Sequence, residues 1–509
     1  MTRGAAARAR RAAAVVARSV GGDPAERRRR RLLGAALTCC AAFLLAAIAI
    51  GTFGLAGPEC LRTAGGSTVC LAGGGGYSVT SPPGVSEPID DLTFGGRLVP
   101  DTSGLAPYVG ESGLRPGVVV AALLLVVPFA LFALQVVRLG SAARERRLAA
   151  LRLQGSTSAD LRRIAAAEVR GTGLVAGLAG LPAYLGLWLL LGVLPPSGWR
   201  LLPPPGPALV IGWPVVALLV VVAAVLAARR AADVGTVDAI GLTRRRARPL
   251  SRSSATATGV TLGVLLLGLA LFVLAPNGAA AGVVVLVLPL VFVAAAVAAG
   301  PWIVVAVGRR HLRRGSPVAV LAGRRLLADP RTPGRVAGVL LAVGLAVGFA
   351  VSDVIGIFLS GRTDPYDLAF FGGGILTALG AIGLAAVVAA LSLVVGAAEQ
   401  VLDARRPTAA LVALGAEPGT VVRVVRTQLR SVSVLPAIGG AIVGATLLGG
   451  WFVVAEGGGR LWVMAAALGA VVVAVLLAGG AAALGAAGAQ RLLRRPLAEA
   501  MSVESLRTA

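Results

Sequence analysis

Residues 144–168 read RERRLAALRLQGSTSADLRRIAAAE, and residues 404–428 read ARRPTAALVALGAEPGTVVRVVRTQ. With Gly155 laid on Gly415 the two stretches align without a gap, 260 residues apart. Each has a basic start, an Ala/Leu helix, a Gly stop and a basic restart that runs into a long apolar segment. A membrane protein that repeats a basic, amphipathic loop between apolar helices offers that loop to a cytoplasmic partner.

The flanking chain belongs in lipid. Hydrophobic residues make up 57% of the 509 residues and charged residues only 14%, with a mean hydropathy of +0.86. A helix needs about 20 apolar residues to cross a hydrocarbon core of about 30 Å. Ten stretches qualify: 33–55, 116–138, 171–194, 207–228, 257–275, 281–307, 336–359, 371–396, 431–454 and 461–488. Backbone polar groups in lipid must be satisfied within the segment, which selects helices, and a β-barrel would show short alternating segments instead. The expected fold class is an all-α integral membrane protein.

Charge sets the orientation. Net charge is +25, and every cation apart from the single His is Arg. Threading ten spans alternately leaves 42 of the 48 arginines on one side and six on the other: Arg62, Arg97, Arg115, Arg200, Arg362 and Arg460. The positive-inside bias places both termini and both repeated loops in the cytoplasm. The charge therefore serves orientation and contact with membrane lipids, not nucleic acid. The Ala/Gly/Arg bias without Lys suggests a GC-rich bacterial genome, and hence the bacterial cytoplasmic membrane. The basic leader 1–32 and a full-length first apolar run read as a signal anchor rather than a cleaved signal.

Cys39 and Cys40 fall inside the first span as small core residues. Cys60 and Cys70 fall outside, in an oxidising compartment, where they form either a disulfide closing a small loop or two free thiols. No His lies near enough to make them a metal pair.

The repeat extends beyond the loop. Asp23-Pro24 precedes an Arg run and span one, and Asp329-Pro330 precedes Arg331, Arg335 and span seven, an offset of 306. Val237-Asp238-Ala239-Ile240 after span four aligns with Ala498-Glu499-Ala500-Met501 after span ten, an offset of 261. The first half thus carries about 46 extra residues early on, matching external stretches of 56–115 against 361–370. The partition is leader 1–32, span one 33–55, external region 56–115, first unit 116–250, linking hairpin 251–307, basic linker 308–335, span seven with its loop 336–370, and second unit 371–509. Pro276-Asn277-Gly278 turns the hairpin of spans five and six. Two four-span units separated by two spans form a parallel repeat. The Gly/Ser/Pro/Thr-rich stretch 56–115 reads as a small cap with some β content or a partly ordered loop.

Within the first loop Leu148 and Leu151 lie three apart on a helix crowded with Arg144, Arg146, Arg147 and Arg152, a pattern that lies at an interface. Gly155 is placed to end it in a left-handed turn. Thr157 and Asp160 fit a capping box for the next helix. In the second loop Gly415 is the stop and Pro418 suits the first turn of the restart.

LAALRLQGSTSADLRR (148–163) and TAALVALGAEPGTVVR (408–423), with spans and the closing DAI and EAM tails, resemble FtsX-like permeases of ABC transporters of the MacB type. The ten-span plan is similar to the single-chain permeases of bacterial peptide-resistance systems. It departs from them in having about ten residues, not a large domain, between spans seven and eight. The resemblance implies that Arg147, Leu148, Leu151 and Gly155, and in the second copy Arg406, Ala410, Leu411 and Gly415, belong to coupling helices. It implies two copies of a cytoplasmic ABC ATPase per chain, and mechanotransmission that exports or extracts a hydrophobic or amphipathic compound.

A phosphate-binding Walker loop requires Lys, and the chain has none, so ATP would be used by the partner subunit and no cofactor is expected here. No nucleophile-base-acid set or metal-ligand spacing stands out, so the chain is not read as an enzyme. Gly173/Gly177, Gly344/Gly348 and Gly440/Gly444 have the spacing that lets membrane helices approach closely. Pro128, Pro182, Pro214, Pro289 and Pro436 lie inside spans. Asp353 is the intramembrane acidic candidate, open to pairing with an external arginine and equally to snorkelling or a structural hydrogen bond, and His311 among arginines reads as a surface residue. Two rival functions remain: an ATPase-coupled scaffold regulating a cell-wall hydrolase, and an ion-coupled secondary transporter, which the sparse intramembrane charge disfavours.

Overall fold

A computed structural model describes residues 24–53, 59–62, 68–72, 76–80, 99–100, 105–110, 115–138, 157–193, 200–234, 259, 263, 279–359, 365–455 and 461–501. Its elements are α1 (Pro24–Thr52), β1 (Glu59–Arg62), β2 (Thr68–Ala72), β3 (Gly76–Thr80), β4 (Val99–Pro100), α2 (Pro107–Gly110), α3 (Arg115–Arg138), α4 (Ser158–Val193) and α5 (Pro207–Val234). They continue with α6 (Ala279–Arg313), α7 (Pro317–Ala328), α8 (Arg331–Leu359), α9 (Pro365–Asp403), α10 (Arg405–Ala413), α11 (Pro418–Ala455) and α12 (Leu461–Ala500).

Among the described residues nine helices are long and apolar enough to cross a membrane, so the chain is a multi-pass membrane protein. They are α1, α3, α4, α5, α6, α8, α9, α11 and α12, which answer to nine of the ten expected spans. The fifth, 257–275, and the turn Pro276-Asn277-Gly278 lie outside the described residues apart from Gly259 and Gly263. The helices also outrun their apolar stretches. Although the apolar runs begin at 171 and 431, α4 starts at Ser158 and α11 at Pro418, while α12 continues to Ala500. Ala, Leu, Arg and Gln are good helix formers, so the helix does not stop where the hydrophobicity does.

The chain divides into two compact units, one of residues 1–37, 127–175 and 220–509, the other of residues 38–126 and 176–219. In the smaller unit four strands pair antiparallel in the order β3-β2-β1-β4, so the stretch 56–115 contains β structure. Cys60 stands opposite Cys70 in the β1–β2 register, while their side chains lie outside the described residues. At the start of α3, Arg115 Nε donates to Val109 O at 3.1 Å, and its guanidinium lies 5.5 Å from the Phe53 ring centre. Arg200 covers the Trp188 ring at 5.1 Å, and Tyr184 Oη donates to Pro203 O at 3.0 Å. Arg115 is thus held by an aromatic face and a backbone carbonyl, and Arg200 by an aromatic face.

In this unit α1 and α4 run parallel. Thr38 Oγ1 donates to Ala176 O at 3.4 Å, and a methyl on Gly180 would come within 2.5 Å of Ala41 Cβ. Cys40 is buried and Cys39 half-buried, both as free thiols. Gly177 packs on Ala217 of α5, as the small-residue spacing predicts.

The larger unit holds the second half of the chain. Its core joins Val336 and Leu340 of α8, Ala389 and Leu393 of α9, Val425 and Leu429 of α11, and Ala482 and Leu493 of α12. The most extensive helix pair, α8 on α11, is also parallel. Its two glycine pairs face one another: a Cβ on Gly344 would strike the Ala437 carbonyl, one on Gly440 the Leu341 carbonyl, and one on Gly444 the Leu345 carbonyl. The Thr38–Ala176 contact and the Gly344–Ala437 contact are related by offsets of 306 and 261, the offsets that align the Asp-Pro and tail markers. The sequence repeat is therefore also a packing repeat.

Candidate functional site

The second copy of the repeated loop is α10 with its two flanking turns. Helix α10 follows α9 after Ala404 and carries Arg405, Arg406 and Pro407 in its first turn, where a missing N–H costs nothing. It ends as the sequence predicts. Gly415 has φ +93°, its N–H donates to Val412 O, and the Ala416 N–H donates to Leu411 O, both at 3.0 Å. This pair of bonds is the Schellman arrangement, which satisfies carbonyls at the helix end that have no partner within the helix. Val in place of Gly415 is expected to cost about 1–2 kcal/mol from the left-handed backbone alone, read as faster hydrogen exchange at residues 414–416.

One face of α10 is packed and the other is free. Thr408 and Ala409 are buried and Ala410 half-buried, whereas Leu411 is 38% and Leu414 85% exposed. These two leucines lie three apart and share the outward face. Burying a Leu contributes about 1.5–3 kcal/mol, so this face gains considerably when another surface covers it. On the inner side, Arg405 NH2 lies 4.0 Å from Glu499 Oε2 at the end of α12.

Both restarts carry a Thr–acid–Arg cluster, which in the first copy also caps the helix. In the first copy Thr157 Oγ1 donates to Asp160 Oδ2 at 2.6 Å, the Asp160 N–H donates to Thr157 Oγ1 at 3.3 Å, and Arg163 approaches Asp160 at 3.5 Å. In the second, Thr420 Oγ1 donates to Glu417 Oε2 at 3.4 Å and Arg423 NH2 reaches the same oxygen at 3.2 Å. Acid and Thr have exchanged places between N-cap and third position, while Arg163 and Arg423 keep the 260-residue register. Sequence reading finds Thr157, Asp160 and Pro418 but misses this arginine pair, which the alignment itself contains. Arg147, Leu148, Leu151 and Gly155 lie outside the described residues.

Behind α10, Gln428 Nε2 of α11 donates to Gln400 Oε1 of α9 at 2.7 Å. The amides border a small cleft lined by Thr332, Pro333 and Val336 of α8, Leu393 and Ala397 of α9, and Val432 of α11. The two helices that carry α10 are thus tied together one level above it and meet α8 there.

One singled-out residue sits differently from expectation. His311 is buried rather than on the surface, with Nε2 2.8 Å from Ser431 Oγ. Ser431 donates its own proton to Thr427 O at 2.7 Å, so it accepts from His311 Nε2–H, which assigns the tautomer. Close backbone approach of Gly308 and Gly323 folds α7 over this histidine. Ala at position 311 is expected to destabilise the fold by about 1–3 kcal/mol through the lost bond and side chain, read as a lower melting temperature in detergent. Asp353 is exposed on α8 and has no ion pair or hydrogen bond among the described residues. Nor do three or more His, Cys, Asp or Glu residues gather into a metal-binding group among the described residues.

No family model, curated protein or solved structure matches this chain.

Proposed function

We propose that this chain is the membrane-spanning permease subunit of an ABC transporter, driven by a separate cytoplasmic ATPase through its two repeated loops. The observation that carries the reading is α10. It is a short helix between two long spans, stopped by Gly415, with Leu411 and Leu414 facing outward and its inner face packed. A rigid helix joined to α9 and α11 transmits a push from a docked partner to both spans, and the Gln400–Gln428 bond couples them. The parallel repeat supplies a second such loop, and hence a place for two ATPase subunits. Nucleotide-driven closure of those subunits moves the spans, and the cargo is a hydrophobic or amphipathic compound extracted from or exported across the membrane.

The test is to reconstitute the full chain in nanodiscs and present it with the ABC ATPase subunits of the same genome. One of them is expected to bind and to hydrolyse ATP at a rate the permease changes. Failure of every one to bind or respond overturns the proposal.

A further inference from the structure

We infer that the α6–α7 hairpin is a binding site for anionic phospholipid headgroups of the inner leaflet, a reading independent of any ATPase. Between Arg309 and Arg331 the chain has seven arginines and a single acid, Asp329. Asp329 is occupied at the start of α8, accepting from the Arg331 N–H at 3.2 Å and Thr332 Oγ1 at 2.6 Å. Arg309, Arg310, Arg313, Arg314, Arg324 and Arg325 make no ion pair or side-chain hydrogen bond among the described residues. Arg325 is half-buried, and burial pulls its pKa below the ordinary guanidinium value, as expected of a cation without a counter-charge.

The fold gathers these cations. Gly315, at φ +71°, reverses the chain, and Ser316 Oγ caps α7 by accepting the Ala319 N–H at 3.3 Å, with Pro317 in the first turn. Helix α7 then lies back on α6, so close that a methyl on Gly323 would come 2.7 Å from Gly308 O. Arg309 and Arg324 each directly follow one of these touching glycines in the sequence. His311, bonded to Ser431, pins the hairpin to α11.

The occupant follows from the outward face. Ala319, Ala322, Gly323 and Leu326 are turned inward, while Leu321 is 40% exposed with exposed Arg324 three residues on. An apolar side chain beside guanidiniums fits a surface with both acyl chains and phosphates, which a free anion is not. Helix α7 also connects the Arg-rich ends of two spans, which places it at headgroup depth.

The experiment uses the full chain in neutral detergent, titrated with phosphatidylglycerol or phosphatidylcholine and read by native mass spectrometry. Phosphatidylglycerol is expected to bind about tenfold or more tighter than phosphatidylcholine, and Arg313→Gln/Arg314→Gln/Arg324→Gln to weaken it by at least about tenfold. The matched triple variant Arg491→Gln/Arg494→Gln/Arg495→Gln is expected to stay within about twofold of wild type. All six arginines are exposed, so neither variant disturbs packing. Unchanged binding by the first variant, equal loss in both, or displacement of the lipid by inorganic phosphate overturns the inference.

Discussion

Asp in place of Leu411, together with Leu151 at the matching position of the first copy, is expected to abolish ATPase binding while leaving membrane insertion and folding intact. Leu411 faces outward from α10, so a carboxylate there meets water and the helix stays closed by Gly415. Against a docked partner the same carboxylate is desolvated without a counter-charge, and the apolar contact is lost. Interface anchors of this kind cost about 2 kcal/mol or more each, roughly 30-fold in affinity per site. Leu414→Asp, at 85% exposure, is expected to act in the same direction. The readout is co-purification of the ATPase with the full chain, beside an unchanged elution profile of the chain alone. Undiminished binding by the double variant removes the docking assignment.

The second large effect lies in the α8–α11 crossing. Val at Gly344 or Gly440 would drive Cβ into the backbone carbonyl of Ala437 or Leu341, and no rotamer change moves a backbone oxygen. Overpacking a well-fitted core costs about 1–3 kcal/mol where side chains give way, and here the backbones themselves must part. Each single variant is expected to reach the upper end of that range, and Gly344→Val/Gly440→Val to leave little folded protein in detergent. Gly380 and Gly469 have nothing within 4 Å of a built Cβ, so Gly380→Ala and Gly469→Ala are the matched controls and should melt near wild type. Equal melting temperatures for all four would mean that the parallel crossing is not the seam of the fold.

Composition and spacing made much of this legible. Apolar length alone located nine helices that the structure describes, and the Gly415 stop, the Pro418 restart and the Thr157–Asp160 cap were readable because each depends on neighbours within a few residues. Gly344 and Gly440 were readable as small-residue pairs, but that they meet one another depends on how two distant spans cross. His311 was misread for the same reason. Arginines beside it suggest solvent, yet its burial depends on Gly323 folding α7 back and on Ser431, 120 residues away. The Gln400–Gln428 bond joins residues 28 apart whose amides stand out from no periodic pattern. The exposed state of Leu414 was equally hidden, because a Leu next to a helix stop is as often packed as free.

The most direct measurement is the mass of the full chain after incubation with the proposed ABC ATPase partner, trapped with a non-hydrolysable nucleotide in nanodiscs. Two docking loops repeated in the sequence predict two ATPase subunits per permease chain, falling to one when Leu411 alone is replaced by Asp. A permease that binds no ATPase, or that still binds two after that replacement, contradicts the account.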